Sequence, residues 1–218
     1  MDVNTHQQLL ASLLNGIKTG SSIQVKKIGG QKILRVAWLN ILHDPKVFQA
    51  LAKAIADDVA RRNYVFDAIA SIETSGAKYG IALSYELGKP YFSIHKAGKV
   101  VFEEPLSVDE KSVTEDRMVT LYLDRAVAST FKRVLLVDDI RRSSRTLNAA
   151  VDLLGKCNVE VVACYVILDL AFAGHPLPSK IPPENYHPLF VIGDVDDRGR
   201  CSVVEGLVPR QLGQMACA

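Results

Sequence analysis

The chain has 218 residues, enough for one medium domain with a small appended lobe, and 48% hydrophobic and 23% charged residues exclude disorder along its whole length. Its 26 basic and 24 acidic residues leave a net charge of +2, which gives no electrostatic ground for general nucleic-acid or membrane binding. No apolar run reaches the roughly 18 residues that cross a bilayer, and Met1–Gly20 lacks the basic and apolar regions of a signal peptide, so a cytoplasmic location is expected.

Leu9, Leu10, Leu13, Leu14 and Ile17 recur at three- and four-residue steps and predict a helix over Asn4–Lys18, ended by Gly20-Ser21-Ser22. Ile33–Leu39 reads as a short strand. Asp44 is placed to cap a helix that opens on Pro45 and buries Val47, Leu51, Ile55 and Val59. Phe66–Ile72 is a buried strand, Glu73–Gly76 a loop, Ala77–Leu87 a helix stopped by Gly88, and Pro90–Ile94 a strand. Lys96–Asp116 is polar and shows no clear period. Val134–Val137 is a strand, Asp138–Ser143 a loop and Ser144–Gly155 a helix, followed by strands at Val161–Leu168 and Leu189–Ile192. The proline-rich Ala173–Pro188 between them reads as a surface excursion. Strands alternating with single helices imply an α/β fold, a parallel twisted sheet flanked by helices. The four cysteines, Cys157, Cys164, Cys201 and Cys217, form no CxxC pair and no zinc-like spacing, so reduced, mostly buried thiols are expected.

In such a sheet the ligand lies at the carboxyl ends of the strands. There, the apolar Val134–Val137 runs into Asp138 and Asp139, then Arg142-Ser143-Ser144-Arg145-Thr146 and a helix. Paired carboxylates at a strand end cost solvation free energy unless something uses them, and a sugar diol is one partner they can accept protons from. A hydroxyl-rich loop ending at a helix N-terminus favours a phosphate, to which Arg142 and Arg145 can add charge-assisted bonds. Together these features describe a ribose 5-phosphate. The plainer alternative is that the aspartates end the strand and Ser143 or Ser144 caps the helix.

VLLVDDIRRSSRTL resembles the phosphoribosyl-diphosphate (PRPP) signature of the type I phosphoribosyltransferases. The resemblance implies that Asp138 and Asp139 hold the ribose hydroxyls and that Arg142–Thr146 holds the 5-phosphate. Where that family has a threonine- and glycine-rich loop, this chain has no glycine, so its cradle must be shaped differently. Over roughly Ile41–Leu207 further segments are similar. IASIETSGAKYGIALSYELG resembles the family's pyrophosphate loop, making Thr74, Ser75 and Gly76 candidates, although Ser75 stands where an arginine is usual. PYFSIHKAGK implies Lys96 and Lys99 as pyrophosphate ligands, and Val100–Asp116 takes the position of a mobile loop that closes over the site. ILHDPKVFQALAKAIAD and VILDLAFAGHP resemble adenine-type enzymes and favour adenine over 6-oxopurines, with Trp38 or Phe172 available to stack on the base.

The resemblance implies a single phosphoribosyltransferase-like domain over 1–218: 1–40 as an N-terminal extension and hood, 41–170 as the core, and 171–218 as the C-terminal hood and last strand. It also implies Mg²⁺ carried on the substrate's phosphates, a homodimer, and a purine-salvage reaction that consumes PRPP and a base and releases pyrophosphate. Glu103 and Glu104 lie in the presumed mobile loop, but spacing assigns neither as general acid or base. A PRPP-binding regulator with little or no catalysis would suit the lost glycines. Too few residues precede Ile33, however, for a winged helix–turn–helix. Another sugar-phosphate enzyme on a similar sheet also stays open.

Overall fold

The computed structural model describes residues 3–28, 31–41, 44–111 and 118–215. Helix α1 (Val3–Thr19) buries Leu10, Leu13 and Ile17 at the expected spacing. An antiparallel hairpin of β1 (Ile23–Ile28) and β2 (Gln31–Val36) follows. This corrects the single strand read at Ile33–Leu39: pairing ends at Val36, and Ala37–Ile41 forms a π-helical turn. Consecutive Lys26 and Lys27 interrupt the apolar alternation of β1 and hide it.

Helix α2 (Pro45–Arg62) begins as its sequence dictates. The Asp44 carboxylate accepts from the Lys46 amide at 2.8 Å, and Pro45 takes the first helical position. On its inner face lies the fully buried Asp58, which accepts from the Tyr165 hydroxyl at 2.9 Å and from Arg62 Nε at 2.9 Å, and which also pairs with Arg61. Since Tyr165 belongs to the sheet, this carboxylate fastens α2 to it.

The main sheet has the order β10-β9-β8-β7-β3-β4. Its members are β3 (Ala68–Ile72), β4 (Tyr91–Ile94), β7 (Arg133–Arg141), β8 (Glu160–Asp169), β9 (Tyr186–Val195) and β10 (Cys201–Glu205). All neighbours are parallel except β9 and β10. Residues of β3 are buried throughout, as a central parallel strand covered on both faces requires. Helices α1, α2, α3 (Ser75–Leu87) and α6 (Leu207–Met215) share a core with Leu135, Val137, Tyr165 and Phe190 on one face. Helix α5 (Arg145–Gly155) covers Val134, Leu136 and Val166 on the other.

Two sequence expectations change here. The stretch Lys96–Asp116 is not wholly without structure: β5 (Pro105–Lys111) pairs with β6 (Met118–Asp124), leading into the short α4 (Arg125–Ala128). The adjacent Asp109 and Glu110 in β5 masked its period of two. The part of that stretch at 112–116 lies outside the described residues. The excursion predicted to end at Pro188 ends earlier, because Tyr186, His187 and Pro188 already belong to β9, with Pro188 paired to Val166.

The two ends of the chain pack together. The Gln211 amide donates to the Ala54 carbonyl at 3.0 Å, and Lys27 pairs with Asp197 at 2.9 Å. Cys157, Cys164 and Cys201 are buried free thiols, as expected, while Cys217 lies outside the described residues. Among the described residues no helix is long and apolar enough to cross a membrane.

Candidate active site

Parallel pairing brings the carboxyl ends of β4, β3, β7 and β8 to one edge of the sheet, and the candidate residues gather there. Strand β7 outlasts its apolar run. Asp138, Ile140 and Arg141 pair with Val166, Leu168 and Asp169 of β8, so the loop expected at Asp138–Ser143 begins only after Arg141. Backbone hydrogen bonding to β8 offsets the low strand propensity of the two aspartates.

The two carboxylates differ. Asp138 is 7% exposed, and its Oδ1 accepts the Asp139 amide at 2.9 Å. Burial, reinforced by the neighbouring Asp139 charge, raises the Asp138 pKa well above the usual carboxylate range, while the Lys96 ammonium pulls the other way. Asp139 is half-buried. Helix α3 approaches this pair closely because Gly76 has no side chain: a Cβ there would lie 2.7 Å from Asp138 Oδ1 and 3.2 Å from its Cα. One turn on, a Cβ at Gly80 would meet Tyr91 at 2.6 Å and Ser71 at 2.9 Å. The buried Tyr79 lies between them, and its hydroxyl has no hydrogen-bond partner among the described residues.

At the start of α3, the capping Thr74 is exposed, Ser75 half-buried and Gly76 buried; the Glu73–Thr74 peptide is cis. Glu73 Oε2 lies 2.6 Å from His95 Nδ1 and 3.7 Å from Lys99 Nζ, which joins the end of β3 to the turn after β4. Lys96 and Lys99 are exposed on that turn. His95 also exchanges two backbone hydrogen bonds of 2.8 Å with Tyr122 of β6.

On the opposite side of the aspartates, Arg142, Ser143, Arg145 and Thr146 are half-buried and lead into the first turn of α5, with Arg145 Nε donating to Ser143 Oγ at 3.3 Å. Ser144 is different: it is 6% exposed, and its hydroxyl donates to the Pro176 carbonyl at 2.6 Å. That bond takes the proton its expected phosphate role would use, leaving the Ser144 amide for an anion. Of the two candidate rings, Trp38 is a core residue, 9% exposed and tilted against Phe190 at 6.2 Å, which corrects the expectation of an accessible stacking platform. Phe172 is partly buried in a 3₁₀ turn just beyond the end of β8.

Sequence reasoning did not assign His95, Tyr79, Arg141, Asp169 or Tyr186. The last three form a buried network: Arg141 Nε and a terminal nitrogen bind the Asp169 carboxylate at 2.9 and 2.6 Å, and the Tyr186 hydroxyl donates to it at 2.8 Å. The signal for Arg141 and Asp169 was an unusual charge at the end of each apolar strand; Tyr186, behind the proline-rich excursion, gave none. No group of three or more histidine, cysteine or carboxylate side chains able to hold a metal occurs among the described residues.

Residues 37–192 match the model of the phosphoribosyl transferase domain family. Over 152 residues the chain is 31% identical to an adenine phosphoribosyltransferase of Bordetella avium, covering 70% of this chain and 79% of that protein. Over 133 residues it is 31% identical to one of Bifidobacterium longum, covering 61% and 67%. Among solved structures, the adenine phosphoribosyltransferase of Thermoanaerobacter pseudethanolicus gives a TM-score of 0.65 at 22% identity, covering 82% of this chain and 98% of the other. The Saccharomyces cerevisiae enzyme, complexed with an imino-altritol bisphosphate and adenine, gives 0.63 at 22% identity, covering 79% and 96%. At such identities these structures speak for the fold alone.

Proposed function

Since the chain belongs to the type I phosphoribosyltransferase family, we propose that it is a cytoplasmic purine phosphoribosyltransferase that transfers ribose 5-phosphate from PRPP to adenine. The observation that carries this reading is the acidic pair at the end of β7, followed at once by the hydroxyl-rich loop onto α5 and faced by Lys96. In this reading Asp139 accepts hydrogen bonds from the ribose hydroxyls, and Asp138 lies beneath it. The backbone amides of Arg142–Thr146 and the side chains of Arg142, Ser143, Arg145 and Thr146 receive the 5-phosphate at the α5 N-terminus. Thr74, Ser75 and Gly76 open α3 toward the pyrophosphate, and Lys96 and Lys99 offset its charge. The C1–O bond to pyrophosphate breaks as the C1–N bond to the base forms, and preorganised cations favour the departing anion. In this reading Phe172, in the turn beyond β8, stacks on the base. In this reading 1–40 is an N-terminal extension and hood to the 41–170 core, and 171–218 supplies the C-terminal hood together with the sheet strands β9 and β10.

In this reading a magnesium ion is carried largely on the substrate's own phosphates, which supply the oxygen ligands it prefers. Asp139 is the residue placed to meet it. When bound, the ion supplies charge neutralisation on the pyrophosphate.

Incubation with PRPP, Mg²⁺ and each of adenine, hypoxanthine, guanine, xanthine and orotate tests the reading, with pyrophosphate release expected for adenine. Saturable PRPP binding without release for any base would instead make the chain a PRPP-binding regulator.

The proposed enzyme is a homodimer through the α2–α3 face. There a groove of about 420 Å³ is lined by Phe48, Ala52, Ile81 and Tyr85, and Ile81 and Tyr85 are 45% and 88% exposed. Lys78 and Glu86 flank these residues on α3, so a two-fold axis between two α3 helices sets Lys78 of one copy opposite Glu86 of the other. Sedimentation is expected to give a dimer for the native chain and a monomer for Ile81→Glu; a native monomer refutes this interface.

A further inference from the structure

We propose that Arg141 is a positioning residue that shapes the glycine-free phosphate loop with side-chain hydrogen bonds and locks it to the segment Ala171–Pro176; this rests on the phosphoribosyl-binding reading of the loop. The loop residues 142–146 turn from β7 into α5 without any of them adopting positive φ, the conformation that glycines would supply. What bends the chain instead is a set of bonds from below. The Arg141 side chain is 2% exposed and its guanidinium is held in a fork by Asp169. That fork aims the remaining terminal nitrogen at the His175 carbonyl at 3.3 Å, the Pro176 carbonyl at 3.1 Å and Ser144 Oγ at 3.4 Å. Ser144 then donates to the same Pro176 carbonyl at 2.6 Å. From the other direction, the Leu170 amide donates to the Arg141 carbonyl at 2.8 Å, closing the tie immediately before the 3₁₀ turn that bears Phe172. Tyr186 donates a third hydrogen bond to the Asp169 carboxylate, so the network is anchored in β7, β8 and β9 at once. The phosphate loop and the Phe172 turn are therefore one rigid unit. Lysine cannot replace Arg141, because a single ammonium cannot fork to a carboxylate and reach two carbonyls.

Calorimetric titration of the full chain with ribose 5-phosphate tests this, alongside PRPP and adenine turnover and thermal melting. Ser144→Ala, which removes only one hydroxyl, is expected to weaken ribose 5-phosphate about three- to tenfold with unchanged binding stoichiometry. Arg141→Lys is expected to weaken it by about thirtyfold or more, since charged hydrogen bonds are lost. A merely structural role would lower the melting temperature and the stoichiometry while leaving Kd unaltered, and that result overturns the proposal. Should Arg141→Lys fail to fold, Ser144→Ala decides alone. Native protein that binds ribose 5-phosphate but turns over no base refutes the transferase reading, and the Kd comparison still judges this one. Native protein that does not bind the ligand refutes both.

Discussion

Asp139→Asn is expected to lower kcat/KM for phosphoribosyl transfer by about a hundredfold, and Asp138→Asn by less than about tenfold. The asymmetry follows from burial. Asp138 has its ionisation suppressed first by desolvation and then by the adjacent Asp139 charge, so it is held toward the neutral acid, which asparagine copies in shape. Asparagine at 138 also keeps an oxygen to accept the Asp139 amide. Asp139 is half-buried and more open to a ligand than Asp138. Hydrogen bonds to a charged group are each worth about 1.5–3 kcal/mol, and each 1.4 kcal/mol is about a factor of ten in rate. Steady-state kinetics on both variants checks this, and equal losses would sink the division of labour. Melting curves give a second reading. A carboxyl whose folded pKa is raised contributes stability that is full below its unfolded pKa of about 3.9 and is lost as pH rises through the folded value. Asparagine has no such loss, so Asp138→Asn is expected to melt at or above the native temperature at pH 8, with the two converging near pH 4.

Gly76→Val is expected to damage turnover more than stability. Its Cβ would meet Asp138 at its carboxylate and at its Cα, and the Val137 carbonyl lies 3.4 Å away. Backbone cannot yield as a flexible side chain can. The α3 N-terminus must then lift from the end of β7, carrying Thr74 and Ser75 with it. Overpacking of this kind costs about 1–3 kcal/mol of stability, a melting temperature lower by roughly 2–4 °C per kcal/mol at this chain length. The larger effect is on turnover, because a misplacement of about 1 Å can cost a hundredfold. An active Gly76→Val enzyme with native kinetics would mean that this approach does not set the site.

Much of this was legible beforehand. The alternation of strands and helices, the Asp44–Pro45 start, the Gly88 stop and the run of Val134–Val137 into two aspartates each rest on local chemistry. The lost elements share a different cause. In β1 and β5, charges broke the alternation that marks a strand, and at Ala37–Ile41 the π-helical turn buries the adjacent Trp38 and Leu39 together, which strand alternation does not allow. At the site, sequence named the residues after β7 but not how they divide their work. That division depends on register: Arg141 meets Asp169 only because β7 and β8 align those positions, and no spacing within one segment reports an alignment between two. The acceptor of the Ser144 hydroxyl was hidden for the same reason, lying 32 residues away.

The two edges of the main sheet end differently from its interior. Strand β10 departs from regular pairing with β9 at two register shifts, and β4 is only four residues long. Immediately beyond β4, the His95–Tyr122 bridge diverts the backbone donors and acceptors into the β5–β6 hairpin. Irregular or very short edges deny an incoming chain the straight ladder that edge-to-edge aggregation needs. A protein closed in this way along its sheet margins can be held at high concentration without fibrillar growth, which leaves helical faces as its route to association.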